Sequence, residues 1–65
     1  MILVVNGEPQ EAEADTIAVA LEALGYEGAC VATALNGDFV PKRKRAETAV
    51  KEGDRLEILA PRQGG

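Results

Sequence analysis

Two Asn-Gly dipeptides restrict the fold of this chain more than any other feature. Asn6-Gly7 follows the apolar run Met1–Val5, and Asn36-Gly37 follows the apolar segment Val31–Leu35. Both central residues of a type I′ turn need a positive φ, which Asn and Gly adopt readily, so Asn-Gly after an apolar run predicts a tight β-hairpin. The sequence therefore predicts two hairpins, separated by about twenty residues.

The segment between the hairpins has the pattern of one amphipathic helix. Asp15 or Thr16 can supply the side-chain oxygen that caps a helix N-terminus. Apolar side chains then recur at i, i+4 and i+7, which places them on one face of a helix: Ile17, Leu21 and Leu24. Gly25 stands where a C′ glycine ends a helix. We predict a single helix that packs on the sheet.

The remaining strands follow from alternation and from proline. The returning strand of the first hairpin, Glu8 to Glu13, is polar and contains Pro9, which indicates an edge strand. Phe39 and Val40 begin the return of the second hairpin, and the polar stretch Lys42–Ala49 is predicted to be irregular. After a turn at residues 52–54, Arg55–Ala60 alternates as a half-buried strand does, except that Leu59 falls on its polar side.

The predicted order is strand, strand, helix, strand, strand, strand. A mixed sheet of four to five strands with one helix packed across it is the compact solution for that order. The first and last strands are the most apolar, so we expect them to pair in parallel at the centre of the sheet. Residues 1–61 are predicted to form one domain, and residues 62–65 a flexible tail without an apolar anchor.

Size and composition exclude most classes of function. A chain of 65 residues has little material for a deep catalytic cleft, and it contains no histidine, the commonest general base and metal ligand. Cys30 is the only cysteine. A net charge of −4 argues against nucleic acid and against an anionic membrane surface. With no apolar run near ~20 residues and no signal-peptide pattern, we expect a cytoplasmic protein that binds no metal or cofactor and is not an enzyme.

The residues with predicted chemistry are the last four, Arg62, Gln63, Gly64 and Gly65. Glycine has no Cβ, so two consecutive glycines make a thin end that can enter another protein's nucleotide site. There the carboxylate of Gly65 can attack the α-phosphate of ATP, and the resulting acyl-adenylate can accept sulfur. Arg62 and Gln63 are expected at the mouth of the partner's channel.

Several of these motifs occur together in one known family. The chain resembles the thiamine-biosynthesis sulfur carriers (the ThiS type), which have the ubiquitin-like β-grasp fold of class α+β. The resemblance covers essentially the whole chain. It is carried by the opening Val4–Glu8, by Asp15–Ile17 before the helix, by Val31–Pro41, by Ala46–Thr48 and by Gly53–Ile58 with the closing diglycine. Arg45 departs from the family, in which many members have an aromatic residue or histidine there.

The resemblance implies a function and its partners. A ubiquitin-activating-like adenylyltransferase would use ATP to adenylate Gly65, and a sulfur donor such as a cysteine desulfurase would lead to a thiocarboxylate. The thiocarboxylate would then donate sulfur to thiazole synthase, with Gly64 as the thin penultimate link. Two alternatives remain open: a carrier like the small subunit of molybdopterin synthase, and a noncovalent β-grasp binding module that does not need its tail.

Three other features have simpler structural interpretations. Cys30 is predicted to be a small buried residue at the start of a strand, because free cysteine is among the most buried residue types. The basic run Lys42–Arg45 is predicted to be a solvated loop. Glu11, Glu13 and Asp15 are predicted to lie on a solvated edge, since no loop surrounds them that could bind an ion.

Overall fold

The computed structural model describes residues 1–26 and 30–60. Five strands, one α-helix and one 3₁₀ helix lie in these ranges. In chain order they are β1 (Ile2–Val5), β2 (Glu8–Glu11), α1 (Ile17–Ala23), β3 (Ala32–Leu35), β4 (Asp38–Val40), the 3₁₀ helix (Lys42–Glu47) and β5 (Arg55–Leu59).

The described strands form one mixed sheet in the order β2-β1-β5-β3-β4. β1 and β5 are parallel, with Val4 opposite Arg55, and the other neighbouring pairs are antiparallel. The predicted parallel centre is therefore confirmed, and so is the prediction that the strand with Pro9 is an edge strand. Because β5 is the central strand, both of its edges are engaged while its carboxyl end leads out of the sheet.

The core lies between α1 and one face of the sheet. Leu3 of β1, Ile17 of α1 and Leu56 of β5 are completely buried there, and Ala20, Leu21 and Ile58 belong to the same cluster. Small and branched aliphatic side chains fill this core. The other face of the sheet is not covered by α1, and it presents the side chains that alternate with the buried ones.

Local turn and cap chemistry matches the predictions. Asn6 and Asn36 both have φ 51°, and the glycines that follow them also have positive φ, as a type I′ hairpin requires. Thr16 caps α1, since its Oγ1 accepts a hydrogen bond from the backbone N–H of Val19 at 3.3 Å. Gly25 follows the helix with φ 91°.

Arg45 corrects the prediction for the basic run. Residues Lys42–Glu47 form a 3₁₀ helix rather than an irregular loop, and Arg45 is buried, whereas its three basic neighbours are exposed. The Nε–H of Arg45 donates to Thr33 Oγ1 at 3.2 Å, and Nη2 donates to the carbonyl oxygen of Val31. The guanidinium thus fastens the 3₁₀ helix to β3, which offsets the cost of removing the charge from water.

Cys30 also differs from its prediction. It is exposed and precedes Ala32, the first residue of β3. Because it lies before the strand, the pleat of β3 does not turn its side chain toward the core. The acidic residues Glu11, Glu13 and Asp15 are exposed as predicted, with buried alanines between them.

Asp54 organises the turn that leads into β5. Its buried carboxylate accepts hydrogen bonds from the backbone N–H of Lys51 at 2.9 Å and from Asn36 Nδ2 at 3.2 Å, and Lys51 Nζ lies at 3.3 Å. Burial by itself raises the pKa of the carboxyl group. The hydrogen bonds from Lys51 and Asn36 outweigh burial and hold the pKa of Asp54 below its ordinary value.

This carboxylate should make stability depend on pH. Because the pKa of Asp54 is lower in the folded than in the unfolded protein, its carboxylate stabilises the fold fully above the ordinary aspartate pKa of about 3.9. This stabilisation is lost as the pH falls through the pKa that Asp54 has in the folded protein. We expect Asp54→Asn to lower the free energy of unfolding by about 1–2 kcal/mol at neutral pH. Urea unfolding at pH 7 and near pH 2 checks this, with exposed Asp38→Asn as the control. An Asp54→Asn deficit that persists undiminished in acid contradicts the role of the charge.

Candidate functional site

The four predicted site residues, Arg62, Gln63, Gly64 and Gly65, lie outside the described residues, as does Pro61. The structure does describe the strand that leads to them. β5 ends at Leu59, and Ala60 follows as an exposed residue outside the ladder. The candidate site is therefore built from this end of β5, from the sheet face around it, and from the tail in sequence only.

An apolar patch lies on the sheet face that α1 leaves uncovered. Phe39 on β4 is 69% exposed and Leu59 on β5 is 71% exposed, which makes them the most exposed large hydrophobic side chains among the described residues. Ala34 of β3 lies opposite Phe39, and Ala32 lies opposite Leu59. These two small residues separate the larger side chains, so the patch has a shallow floor with a raised wall on each side. We call these four residues the Phe39–Leu59 patch.

Charged side chains border the patch. In the register of the sheet, Glu57 lies opposite Ala34 and therefore shares the face of Phe39. Arg55 also lies on this face, beside Val4 of β1. An apolar centre with an exposed polar border is the usual anatomy of a protein-binding surface.

The sequence alone predicts no docking patch, although Leu59 carries a local signal of exposure. The break in alternation at Leu59 was a visible signal, and its exposure confirms the interpretation of β5. Phe39 was not singled out as a surface residue, because its face depends on the register between β4 and β3. The positions of Ala32 and Ala34 between the two larger side chains depend on the pairing of β3 with β4 and β5, which no local pattern predicts.

The end of β5 is held on both of its edges. On the β3 side, Leu59 pairs with Ala32. On the β1 side, the side chain of Asn6 contacts the peptide groups of Ile58: Oδ1 accepts from the Ile58 N–H at 2.8 Å, and Nδ2 donates to the Ile58 carbonyl oxygen at 3.1 Å. Both contacts lie immediately before the tail.

The described residues contain few groups with reactive side-chain chemistry. Within residues 1–26 and 30–60, no cluster of three or more His, Cys, Asp or Glu side chains could hold a metal ion. In the same ranges, no helix has the length and apolar character needed to cross a membrane. The arrangement offers a binding surface beside the carboxyl end of β5.

Comparison with known proteins identifies the family. Residues 3–65 match the sequence model of the ThiS family, which covers nearly the whole chain, including both glycines at its end. The chain belongs to the ThiS family. This confirms the resemblance that the hairpin, helix and diglycine motifs indicated.

A solved structure supports the same assignment for this ThiS-family chain. The crystal structure of a thiamine biosynthesis protein (ThiS) from Geobacter metallireducens superposes with a TM-score of 0.76 at 36% sequence identity, and the match covers all of both chains. The five-stranded mixed sheet with one helix is therefore the β-grasp fold of that protein, as predicted.

Two curated relatives differ in length. The sulfur carrier protein ThiS of Thermus thermophilus is 35% identical over 60 residues, which span 92% of this chain and 94% of that protein. A protein named thiazole synthase from Paramagnetospirillum magneticum is 42% identical over 66 residues. All of this chain matches there, but it spans only 20% of that longer protein.

Proposed function

We propose that this protein is a sulfur carrier of thiamine biosynthesis and that its working group is the carboxylate of Gly65. The observation that carries the proposal is the end-to-end similarity to the Thermus sulfur carrier, combined with a family match that continues to Gly65. The fold is consistent with this role, since the central strand β5 is the last element that the structure describes before the diglycine in the sequence.

The chemistry takes place in partner proteins. An adenylyltransferase of the ubiquitin-activating type binds ATP, the Gly65 carboxylate attacks the α-phosphate, and pyrophosphate leaves. The persulfide of a donor such as a cysteine desulfurase then attacks the acyl group, AMP leaves, and Gly65 is joined to the donor through an acyl disulfide. A thiol reductant cleaves the S–S bond, which frees the donor thiol and leaves a thiocarboxylate on Gly65. In this proposal the chain is a protein substrate rather than an enzyme, it holds no cofactor of its own, and it works in the cytoplasm.

Each part of the tail has a steric task in this proposal. Gly64 and Gly65 have no Cβ atoms and so can pass a narrow channel up to the nucleotide. Gln63 and Arg62 remain at its mouth, where their side chains meet the partner. Meanwhile the Phe39–Leu59 patch rests on the partner's surface, which converts the encounter of carboxylate and ATP into an oriented one.

Thiazole synthase is the proposed acceptor of the sulfur. The support is that a segment of the Paramagnetospirillum protein named thiazole synthase is 42% identical to this chain. A carrier-like segment within one polypeptide of that name is consistent with a carrier that serves such an enzyme. We infer that the thiocarboxylate of Gly65 is delivered there.

Intact-mass spectrometry tests the proposal. The protein is incubated with ATP, an adenylyltransferase of a ThiS-containing pathway, a sulfur donor and a thiol reductant. We expect a product in which one oxygen of the Gly65 carboxylate is replaced by sulfur, and no such product when ATP is omitted. Absence of any mass change with every cognate adenylyltransferase counts against a carrier.

The molybdopterin branch is the competing carrier function. The match to the ThiS family favours the thiamine branch. Complementation separates the two: we expect the gene to restore growth of an auxotroph that lacks its thiamine sulfur carrier, and not of one that lacks the small subunit of molybdopterin synthase. The reverse pattern assigns the protein to the other pathway.

A further inference from the structure

The two Asn-Gly turns have a common second feature: each asparagine side chain is bonded to β5. Asn36 acts at the beginning of that strand, where its Oδ1 accepts from the backbone N–H of Arg55 at 2.9 Å and its Nδ2 donates to Asp54. Asn6 acts at the other end, where its carboxamide contacts both peptide groups of Ile58. The two asparagines have the same φ and occupy the same position in turns of the same type. Only Asn6 contacts the end of β5 that precedes the tail.

The carboxamide of Asn6 makes the hydrogen bonds to β5 that the backbone of β1 would make if that strand continued past Asn6. The backbone N–H of Asn6 donates to the carbonyl oxygen of Leu56 at 3.0 Å, and this is its last backbone bond to β5 before the chain turns at Gly7. Peptide groups that face one edge of a strand belong to alternate residues, so the next pair on this edge belongs to Ile58. The side chain of Asn6 binds that pair as a further strand residue would.

On the β1 edge, this contact sets the last residue at which β5 is held in the sheet. On the β1 edge the following peptide groups are those of Ala60, and Ala60 is exposed outside the ladder. On the β3 edge the last paired residue is Leu59, opposite Ala32. With Asn6 in place, the chain is therefore held on both edges up to residues 58–59. Without the carboxamide, the β1 edge of β5 is unpaired beyond Leu56.

We propose that Asn6 is a positioning residue for the reactive tail: its carboxamide clamps Ile58, and so fixes both the exit of residues 60–65 and the place of Leu59 in the Phe39–Leu59 patch. The inference rests on the proposed carrier function. A tail that reacts inside another protein must start from a defined point relative to the docked surface, because misplacement of reacting groups by about 1 Å can cost two orders of magnitude in rate.

The two turns provide a matched pair of variants, Asn6→Gly and Asn36→Gly. Glycine adopts positive φ without strain, so each variant keeps its turn and loses only the carboxamide. We expect Asn6→Gly to lower kcat for ATP-dependent adenylation about tenfold and to change KM less than kcat. We expect Asn36→Gly to leave both constants within about twofold of the wild type, since its contacts lie at the far end of β5.

Hydrogen exchange tests the clamp without any partner protein. The Ile58 amide should exchange about tenfold faster in Asn6→Gly than in the wild type, because its acceptor is gone. The Arg55 amide should respond in the same way to Asn36→Gly and remain protected in Asn6→Gly.

Asn6→Asp is the second variant: it tolerates positive φ and still accepts from the Ile58 N–H, but it cannot donate to the Ile58 carbonyl. Its kcat should lie between those of the wild type and Asn6→Gly, and it replaces Asn6→Gly if that variant does not fold.

Three results overturn the inference: equal loss of kcat in both glycine variants, unchanged kcat in both Asn6 variants, or a higher KM at wild-type kcat. An Ile58 amide that exchanges as slowly in Asn6→Gly as in the wild type also overturns it. Failure of the proposed function has a different signature, since the wild-type protein itself would then not be adenylated.

Discussion

A single alanine added after Gly65 is expected to reduce ATP-dependent adenylation by at least about a hundredfold. The addition moves the carboxylate along the chain by roughly 3.6 Å and places a methyl group where the proposal requires a side-chain-free end. Neither change can be absorbed by a channel shaped for two glycines. Pyrophosphate release in the presence of the adenylyltransferase measures the rate.

The appropriate control keeps the length of the chain and changes only a side chain. Gln63→Ala retains the position of the Gly65 carboxylate, so we expect its adenylation rate to remain within about tenfold of the wild type. Neither the added alanine nor Gln63→Ala alters the described core, so both proteins should have the melting temperature of the wild type. A noncovalent binding module would tolerate the added alanine in every assay. Undiminished adenylation of the extended chain would show that Gly65 is not the reactive residue.

The sheet and the helix could be predicted from the sequence because strong local signals agreed with the tertiary structure. Asn6-Gly7 and Asn36-Gly37 specify a turn type that few other dipeptides favour, and that turn fixes the pairing of the strands on either side. The apolar stripe of α1 had a single sheet face to cover. These local and global preferences point to the same fold, which is typical of a sequence that folds uniquely.

The errors concern residues whose environment is set by distant neighbours. Arg45 belongs to a basic run, and a basic run is usually solvated. Its burial depends on Thr33 and on the carbonyl oxygen of Val31, which lie twelve and fourteen positions away. No local pattern announces acceptors at that distance. The 3₁₀ helix was missed for a related reason, since its six residues have no apolar periodicity.

The second role of Asn6 also could not be predicted from the turn. An Asn-Gly signal specifies backbone conformation, whereas the partner of the Asn6 carboxamide is Ile58, fifty-two positions later in the chain. That contact requires the parallel pairing of β1 with β5 and its particular register. The sequence thus predicts the tail as the reactive segment. The structure adds Asn6, which holds the end of β5 from which the tail continues.

The Phe39–Leu59 patch is the part of the candidate site that a surface substitution can test most strongly. Leu59→Asp is expected to raise KM for adenylation by about thirtyfold or more with a smaller effect on kcat, because a carboxylate in a desolvated contact is left unpaired.

Val19→Asp is the matched control: Val19 is also exposed, at 42%, but it lies on α1, on the other side of the sheet. Both variants add one negative charge to a chain of net charge −4, so a general electrostatic effect should raise KM equally in the two. A selective effect of Leu59→Asp supports docking through the sheet face, and Phe39→Asp should reproduce it from β4, on the far side of β3. If both Leu59→Asp and Phe39→Asp bind as the wild type does, the partner contacts another surface.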